Sequence, residues 1–324
     1  MNRMMNKLNK ETSAVGMGCW AIGGEWTLAG GQTGWGKTDD AESLKAIEAA
    51  YDNGIRLFDT AATYGVGHSE KLVGKALKGK RENCIISTKF GFCQEPEKKN
   101  VRYYGSRMET SDVISNLKKD CETSLEHLGT DYIDIYFFHI WDYDKKLAEE
   151  LVPVLEELVS EGKIRSFGWS TDSVELADLW TRSEGYSSVQ INFNIAAPSD
   201  DMISFVEKNR LNALNRGPLA MGFLTGKYND DSKFSETDVR NAEWVMEGFR
   251  KPVLSRMDQL KEVLTSDGRT SAQGALAWIW AKSGRTFPIP GIRTVKQAVE
   301  NARAMEFGPL NKAEMSQIEE IMGR

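Results

Sequence analysis

Short apolar runs recur along this chain, each followed by a longer segment with apolar residues at helical spacing. That alternation constrains the fold more than any other feature. Residues 39–53 open with acidic capping residues and carry Leu44, Ile47 and Ala50 on one helical face; Gly54 stops the segment ahead of the strand-like IRLFDT. SEKLVGKALKG predicts the next helix, with Ser69 as its N-cap, and CIISTK the next strand. A long helix through TSDVISNLKKDCETSLEHLG ends at Gly129, and DYIDIYFFH follows as a buried strand. LAEELVPVLEELVSEG with KIRSFGWS, and SVELADLWTRS with YSSVQINF, repeat the unit. NALNRG is its least strand-like member, since NRLNALNRG holds more Asn and Arg than a core strand normally carries. SAQGALAWIWAKS and TFPIP supply the last helix and strand. Such alternation means an α/β fold of parallel strands covered by helices.

Three stretches interrupt the repeat: 92–108, 140–147 and 225–251. Each follows a strand, which puts all three on one face, where long loops shape binding sites. NKAEMSQIEEIM reads as an extra helix outside the repeat. No Pro- or Ser-rich linker and no shift in composition divides the 324 residues, so a single domain over 1–324 is expected.

A net charge of −6 without any Lys/Arg-rich run argues against a general nucleic-acid binder. No apolar run reaches the roughly 20 residues that span a bilayer, and the polar start MNRMMNKLNKETS lacks the apolar stretch of a secretory signal. Cys19, Cys84, Cys93 and Cys121 form no CxxC pair and no metal-ligand spacing with His68, His127 or His139. No metal is expected, and the thiols read as reduced, in a cytoplasmic protein.

Polar residues at the ends of the apolar runs carry the chemistry. Asp59 and Tyr64 lie in FDTAATYG, Lys89 in STKFG, and His139 closes DYIDIYFFH. Strand ends converge when parallel strands close into a barrel, so these residues can share one site. A phenol has an ordinary pKa of about 10; an adjacent ammonium lowers it, and a carboxylate behind the Lys keeps that ammonium charged. Such a Tyr can protonate a carbonyl oxygen while a hydride arrives at the carbon. IPGIRTVKQAVENA sets Gly291, Arg293 and Thr294 just before a helix, whose first N–H groups favour an anion, and Arg293 offers planar donors suited to a phosphate monoester. No GxGxxG follows a strand, so Gly65 and Gly67 read as turn glycines.

FDTAATYG, STKFG, the strand ending in His139, GPLAMGFLTGKY and IPGIRTVKQAVENA occur in one order across roughly residues 14–305, and together they resemble the aldo-keto reductase family. The resemblance implies a (β/α)8 TIM barrel that reduces carbonyls with NADPH and uses no metal. It makes Asp59, Tyr64, Lys89 and His139 the catalytic set. It assigns Pro218, Leu219, Gly222, Leu224, Gly226 and Lys227 to a loop folded over the cofactor, and Ser170 and Gln190 to the nicotinamide carboxamide. Gln297, Glu300 and Asn301 fall where the family contacts adenine. Trp20 matches a position lining the cofactor and substrate cleft, with packing into the barrel floor as the alternative. Two positions depart from the pattern: Thr171 replaces an Asn, and Arg216 stands where an aromatic residue commonly stacks on nicotinamide. Trp20, Tyr104 and Trp141 suggest a small-molecule carbonyl substrate of apolar character. Two other readings stay open. One is a nucleotide-binding regulatory subunit resembling potassium-channel β subunits; the other is a barrel lyase or isomerase using Lys89 as a Schiff base. No motif specifies the physiological carbonyl compound, the direction of flux or the oligomeric state.

Overall fold

In the computed structural model, which describes residues 1–104 and 111–324, eight parallel strands form one sheet in chain order. They are β1 (Gly16–Gly18), β2 (Leu57–Asp59), β3 (Ile85–Phe90), β4 (Ile133–Phe138), β5 (Ile164–Ser170), β6 (Tyr186–Asn192), β7 (Asn212–Arg216) and β8 (Thr286–Pro288). The ring closes where Gly18 N donates to Pro290 O at 2.9 Å and Ile292 N donates to Gly18 O at 3.3 Å. This seam needs a glycine, because a Cβ at position 18 would lie 2.6 Å from the Ile289 carbonyl oxygen. The result is a (β/α)8 barrel.

Helices α1 (Asp40–Asp52), α2 (His68–Ala76), α3 (Asp112–Leu128), α4 (Lys145–Ser160), α5 (Val174–Asp178), α6 (Asp200–Lys208), α7 (Ser271–Lys282) and α8 (Val295–Phe307) cover the sheet. Asp39 caps α1 by accepting from Ala41 N and Glu42 N, and Gly129 ends α3 in the left-handed conformation, as the sequence predicts. Ser69 does not cap α2. Gly67 holds that position, while Ser69 Oγ donates to Cys19 O at 2.9 Å and accepts from Thr60 Oγ1, tying α2 to the ends of β1 and β2. The extra helix α9 (Lys312–Met322) packs outside the repeat against the helix Met257–Leu264.

Alternating strand residues fill the barrel: Leu57, Ile85, Ile135, Phe137, Leu214 and Phe287 form its inner cluster, and Met5 joins it from below. Met5 belongs to a hairpin, Asn2–Met5 with Lys10–Ser13, whose Arg3 guanidinium donates to Ser283 O and Thr286 O, both at 2.9 Å. The hairpin therefore closes the amino end of the barrel. NALNRG forms β7, paired to β6 and β8 on either side, and its wholly buried Asn212 donates through Nδ2 to Ser187 O at 3.1 Å and Ser188 Oγ at 3.3 Å. At the opposite end, Phe92–Glu95 and Asn100–Tyr103 join two short strands of the loop after β1 in a small separate sheet. Residues 105–108 of the predicted 92–108 insert lie outside the described residues. Among the described residues no helix is long and apolar enough to cross a membrane.

Gly18→Ala should overpack the seam and destabilise the barrel by about 1–3 kcal/mol, read as a lowered urea midpoint. An unchanged midpoint would show that β1 and the segment after β8 can separate without loss.

Candidate active site

Asp59 ends β2, Lys89 is the penultimate residue of β3, and His139 directly follows β4. The two-residue period of a strand carries Ser87 and Lys89 to the same side as Ile85, into the barrel. Lys89 is wholly buried, and its ammonium donates to Asp59 Oδ2 at 2.8 Å, Thr60 O at 2.7 Å and the Tyr64 hydroxyl at 3.3 Å. Asp59 Oδ1 accepts from Ser87 Oγ at 2.7 Å and Gln190 Nε2 at 2.8 Å. A buried ion pair is tolerable when its remaining donors and lone pairs are met in this way. Tyr64 stands on the turn after β2, where Gly65 has φ +62 and lies so near Gly23 that a Cβ would come within 2.0 Å of its carbonyl oxygen. The His139 ring lies edge-on to Tyr64 with centroids 6.0 Å apart.

The Tyr64 phenol lies above its ordinary value, not below it as the neighbouring ammonium alone would predict. Lys89 does pull the Tyr64 phenol downward, but burial acts more strongly in the other direction, and the balance lies above the ordinary phenol value. For Lys89, burial opposes the charge, but Asp59 and then Tyr64 offset this and hold the ammonium above its ordinary value. Burial, followed by Lys89 and Arg216, drives His139 well below the usual imidazole range, so it is neutral. The site thus presents a protonated phenol and a neutral imidazole beside a fixed ammonium.

Above these groups opens a cavity of about 940 Å³. Asp59, Tyr64 and His139 lie at its floor, and Trp20, Trp26, Phe92 and Trp141 form an aromatic wall. Trp20 lies 6.0 Å from the Tyr64 ring, nearly parallel to it, and donates to Thr33 O at 3.1 Å; it is a wall residue and not barrel-floor packing. Ser170, Gln190 and Arg216 line the cavity from the ends of β5, β6 and β7. Pro218, Leu219, Gly222 and Lys227 line it from the loop after β7, and Gly291, Arg293, Gln297, Glu300 and Asn301 from the start of α8. Lys89 lies below the floor, reaching the cavity through Asp59 and Tyr64.

Three residues expected at the cavity line it nowhere. Leu224 is buried in the core between barrel and helices. Gly226 ends the short 220–225 helical segment in a left-handed turn, φ +71. Tyr104 turns toward α3, where its hydroxyl donates to Asp120 Oδ1 at 2.8 Å; burial pushes that carboxyl up to about 7. The start of α8 also differs from expectation. Gln297 Oε1 accepts from Arg293 N at 2.8 Å and Thr294 N at 3.3 Å, and Glu42 Oε1 accepts from Val295 N at 3.1 Å. The Val295 and Gln297 N–H groups are therefore already met, and Arg293, Lys227 and the Asp238-paired Arg240 are cations lining this end. The Arg293 guanidinium is itself partly engaged, donating to Trp35 O at 3.2 Å and Lys37 O at 2.7 Å.

Sequence reasoning missed the wall residues Trp26 and Phe92 and two polar members of the site, Ser87 and Asp172. Ser87 lies two residues before Lys89, so strand period alone places it beside Asp59. Asp172, which lines the cavity in an ion pair with Arg216, carries no motif signal. The neighbouring Thr171 faces away from the cavity, its hydroxyl donating to Trp141 O at 2.9 Å.

A dinucleotide fits this donor set. The cavity runs from Tyr64 to Asn301, cations sit at its far end, and Met221 and Gly222 turn the intervening loop with left-handed φ of 56 and 95. The "Aldo/keto reductase family" profile matches residues 14–322. Aldo-keto reductase YhdN of Bacillus subtilis is 33% identical over 321 residues, covering 96% of this chain and 90% of that one. An NADH-specific methylglyoxal reductase of Escherichia coli is 30% identical over 304 residues, 91% of this chain and 90% of its own. The structure of a glycerol dehydrogenase from Gluconobacter oxydans superposes with a TM-score of 0.83 at 29% identity, covering 100% of this chain and 95% of that chain.

Asp59→Ala should leave the Lys89 charge buried without its counter-ion and destabilise the fold by about 3–5 kcal/mol in denaturant unfolding. A loss under about 1 kcal/mol would mean that the Thr60 carbonyl alone suffices to hold the ammonium.

Proposed function

Since the chain belongs to the aldo/keto reductase family, an oxidoreductase family, we propose that it reduces aldehydes or ketones to alcohols with NADPH, with Tyr64 as general acid. The observation that carries this reading is the buried Lys89–Asp59 pair with its third donor on the Tyr64 hydroxyl at the cavity floor. The nicotinamide ring, when bound, supplies the hydride. Tyr64 and neutral His139 hold the substrate oxygen, and Tyr64 gives it a proton as negative charge develops there. Lys89 then lies beside the phenolate and stabilises it, while Asp59, fixed by Ser87 and Gln190, keeps Lys89 charged. Trp20, Phe92 and Trp141 exclude water from the floor and favour substrates with an apolar body.

Lys89 does not suit a Schiff base: an ammonium shared among three acceptors has no free lone pair for attack on a carbonyl. A purely regulatory subunit would not need the Tyr64 proton, whereas here phenol and imidazole meet the cavity floor with the ammonium directly behind the phenol. The chain is proposed to be one barrel domain, and its four unpaired cysteines suit the cytoplasm.

Tyr64→Phe tests the assigned acid. NADPH affinity should stay nearly constant while turnover on a reactive aldehyde falls roughly 10²–10⁴-fold. Turnover within about tenfold of the parent would move the acid role elsewhere.

Cofactor choice turns on the adenosine end, where NADPH carries a phosphate that NADH lacks. Arg293→Ala should weaken NADPH binding about ten- to a hundredfold, the loss of a charge-assisted contact of about 1.5–3 kcal/mol. NADH should suffer only the smaller loss from freeing the loop at Trp35 and Lys37. Equal losses in fluorescence titrations with the two cofactors would remove the 2′-phosphate role from Arg293.

A further inference from the structure

Arg216 ends β7, and Asp172 lies two residues beyond β5; both line the cavity near Gln190, and their side chains form an ion pair. Neither side chain fills core, since 38% of Arg216 and 51% of Asp172 remain exposed. The carboxylate is held in place, because its Oδ1 accepts from Asn192 N at 2.7 Å while Oδ2 meets the guanidinium. Arg216 also reaches the reacting groups electrostatically. After burial and Lys89, its charge acts downward on the His139 imidazole. On the Tyr64 phenol it also acts downward, but burial, Lys89 and Asp59 act more strongly there and burial keeps the balance raised.

Resting on the reading that a nicotinamide dinucleotide occupies this cavity, we propose that Asp172 is a specificity-determining residue for the cofactor's redox state, acting as the counter-charge of Arg216. An oxidised nicotinamide ring carries a positive charge and a reduced ring carries none. An uncompensated guanidinium at this wall repels only the oxidised ring. Asp172 cancels that repulsion, so the cavity retains both forms and the bound couple is not pushed toward the reduced side. Were Asp172 only a staple between the loops after β5 and β7, its loss would disturb the two forms alike. The exposed position means that solvent screens the effect, which sets its size.

The test is titration of the full-length chain with NADP+ and with NADPH separately, following tryptophan fluorescence at fixed ionic strength. Asp172→Asn keeps an oxygen for Asn192 N and removes only the charge. It should raise the dissociation constant for NADP+ relative to NADPH by about five- to tenfold. Arg216→Gln, which leaves Asp172 uncompensated, should move the same ratio the other way. Parallel changes for both cofactor forms in Asp172→Asn, or shifts of the ratio in one direction in both variants, would overturn the proposal. A parent chain that binds neither form would overturn the dinucleotide reading itself, and this inference with it.

Discussion

An ammonium with no access to solvent organises the reactive end of this barrel. Burying an unpaired charge is prohibitive, so the surroundings of Lys89 follow from its presence. Its hydrogens need three acceptors, and Asp59, the Thr60 carbonyl and the Tyr64 hydroxyl supply them. Asp59 needs donors of its own, and Ser87 and Gln190 supply those. One charge thus recruits side chains from β2, β3 and β6, positions the phenol, and sets a polar layer directly above an apolar one made of Leu57, Ile85 and Phe137. The seam at Gly18 matters for the same reason, because closure of the ring brings these strand ends together.

The loops above that layer form a connected rim. Val239 N donates to Gly34 O at 2.8 Å, and Gln32 Nε2 donates to Thr237 O at 2.8 Å, joining the loop after β1 to the long insert after β7. Arg240 anchors this junction: its guanidinium grips Asp238 at 2.9 and 2.6 Å and lies 3.9 Å from the centroid of the Phe234 ring. Arg293 ties the start of α8 to the same loop. The cavity is therefore roofed by segments far apart in sequence, which gives its aromatic wall a fixed position over Tyr64.

The barrel was legible in the chain because its strands and helices obey local periods. Asp59, Tyr64, Lys89 and His139 were legible because strand ends converge. Even β7, poor in apolar residues, takes its place between β6 and β8, where Asn212 donates to the Ser187 carbonyl. What stayed hidden depends on contacts that no local period encodes. The N-terminal hairpin has too few apolar residues to announce a plug, and only the closed ring shows Met5 its pocket. Tyr104 looked like a wall residue until α3 offered it a buried carboxylate. Asp172 is one acid among many until β7 brings Arg216 beside it. The direction of the Tyr64 shift was likewise out of reach, since it depends on how deeply the phenol is buried.

In the proposed mechanism Lys89 tunes Tyr64 by charge, and the pH–rate profile of carbonyl reduction in the parent and in Lys89→Met tests this most directly. With Tyr64 as the proposed acid, reduction needs the protonated phenol, so the rate should hold at low pH and fall as pH rises through the Tyr64 pKa. Burial raises that pKa and Lys89 holds it back, so removing Lys89 should move the alkaline limb to higher pH. A limb that stays in place, or moves to lower pH, with cofactor binding intact would contradict the account.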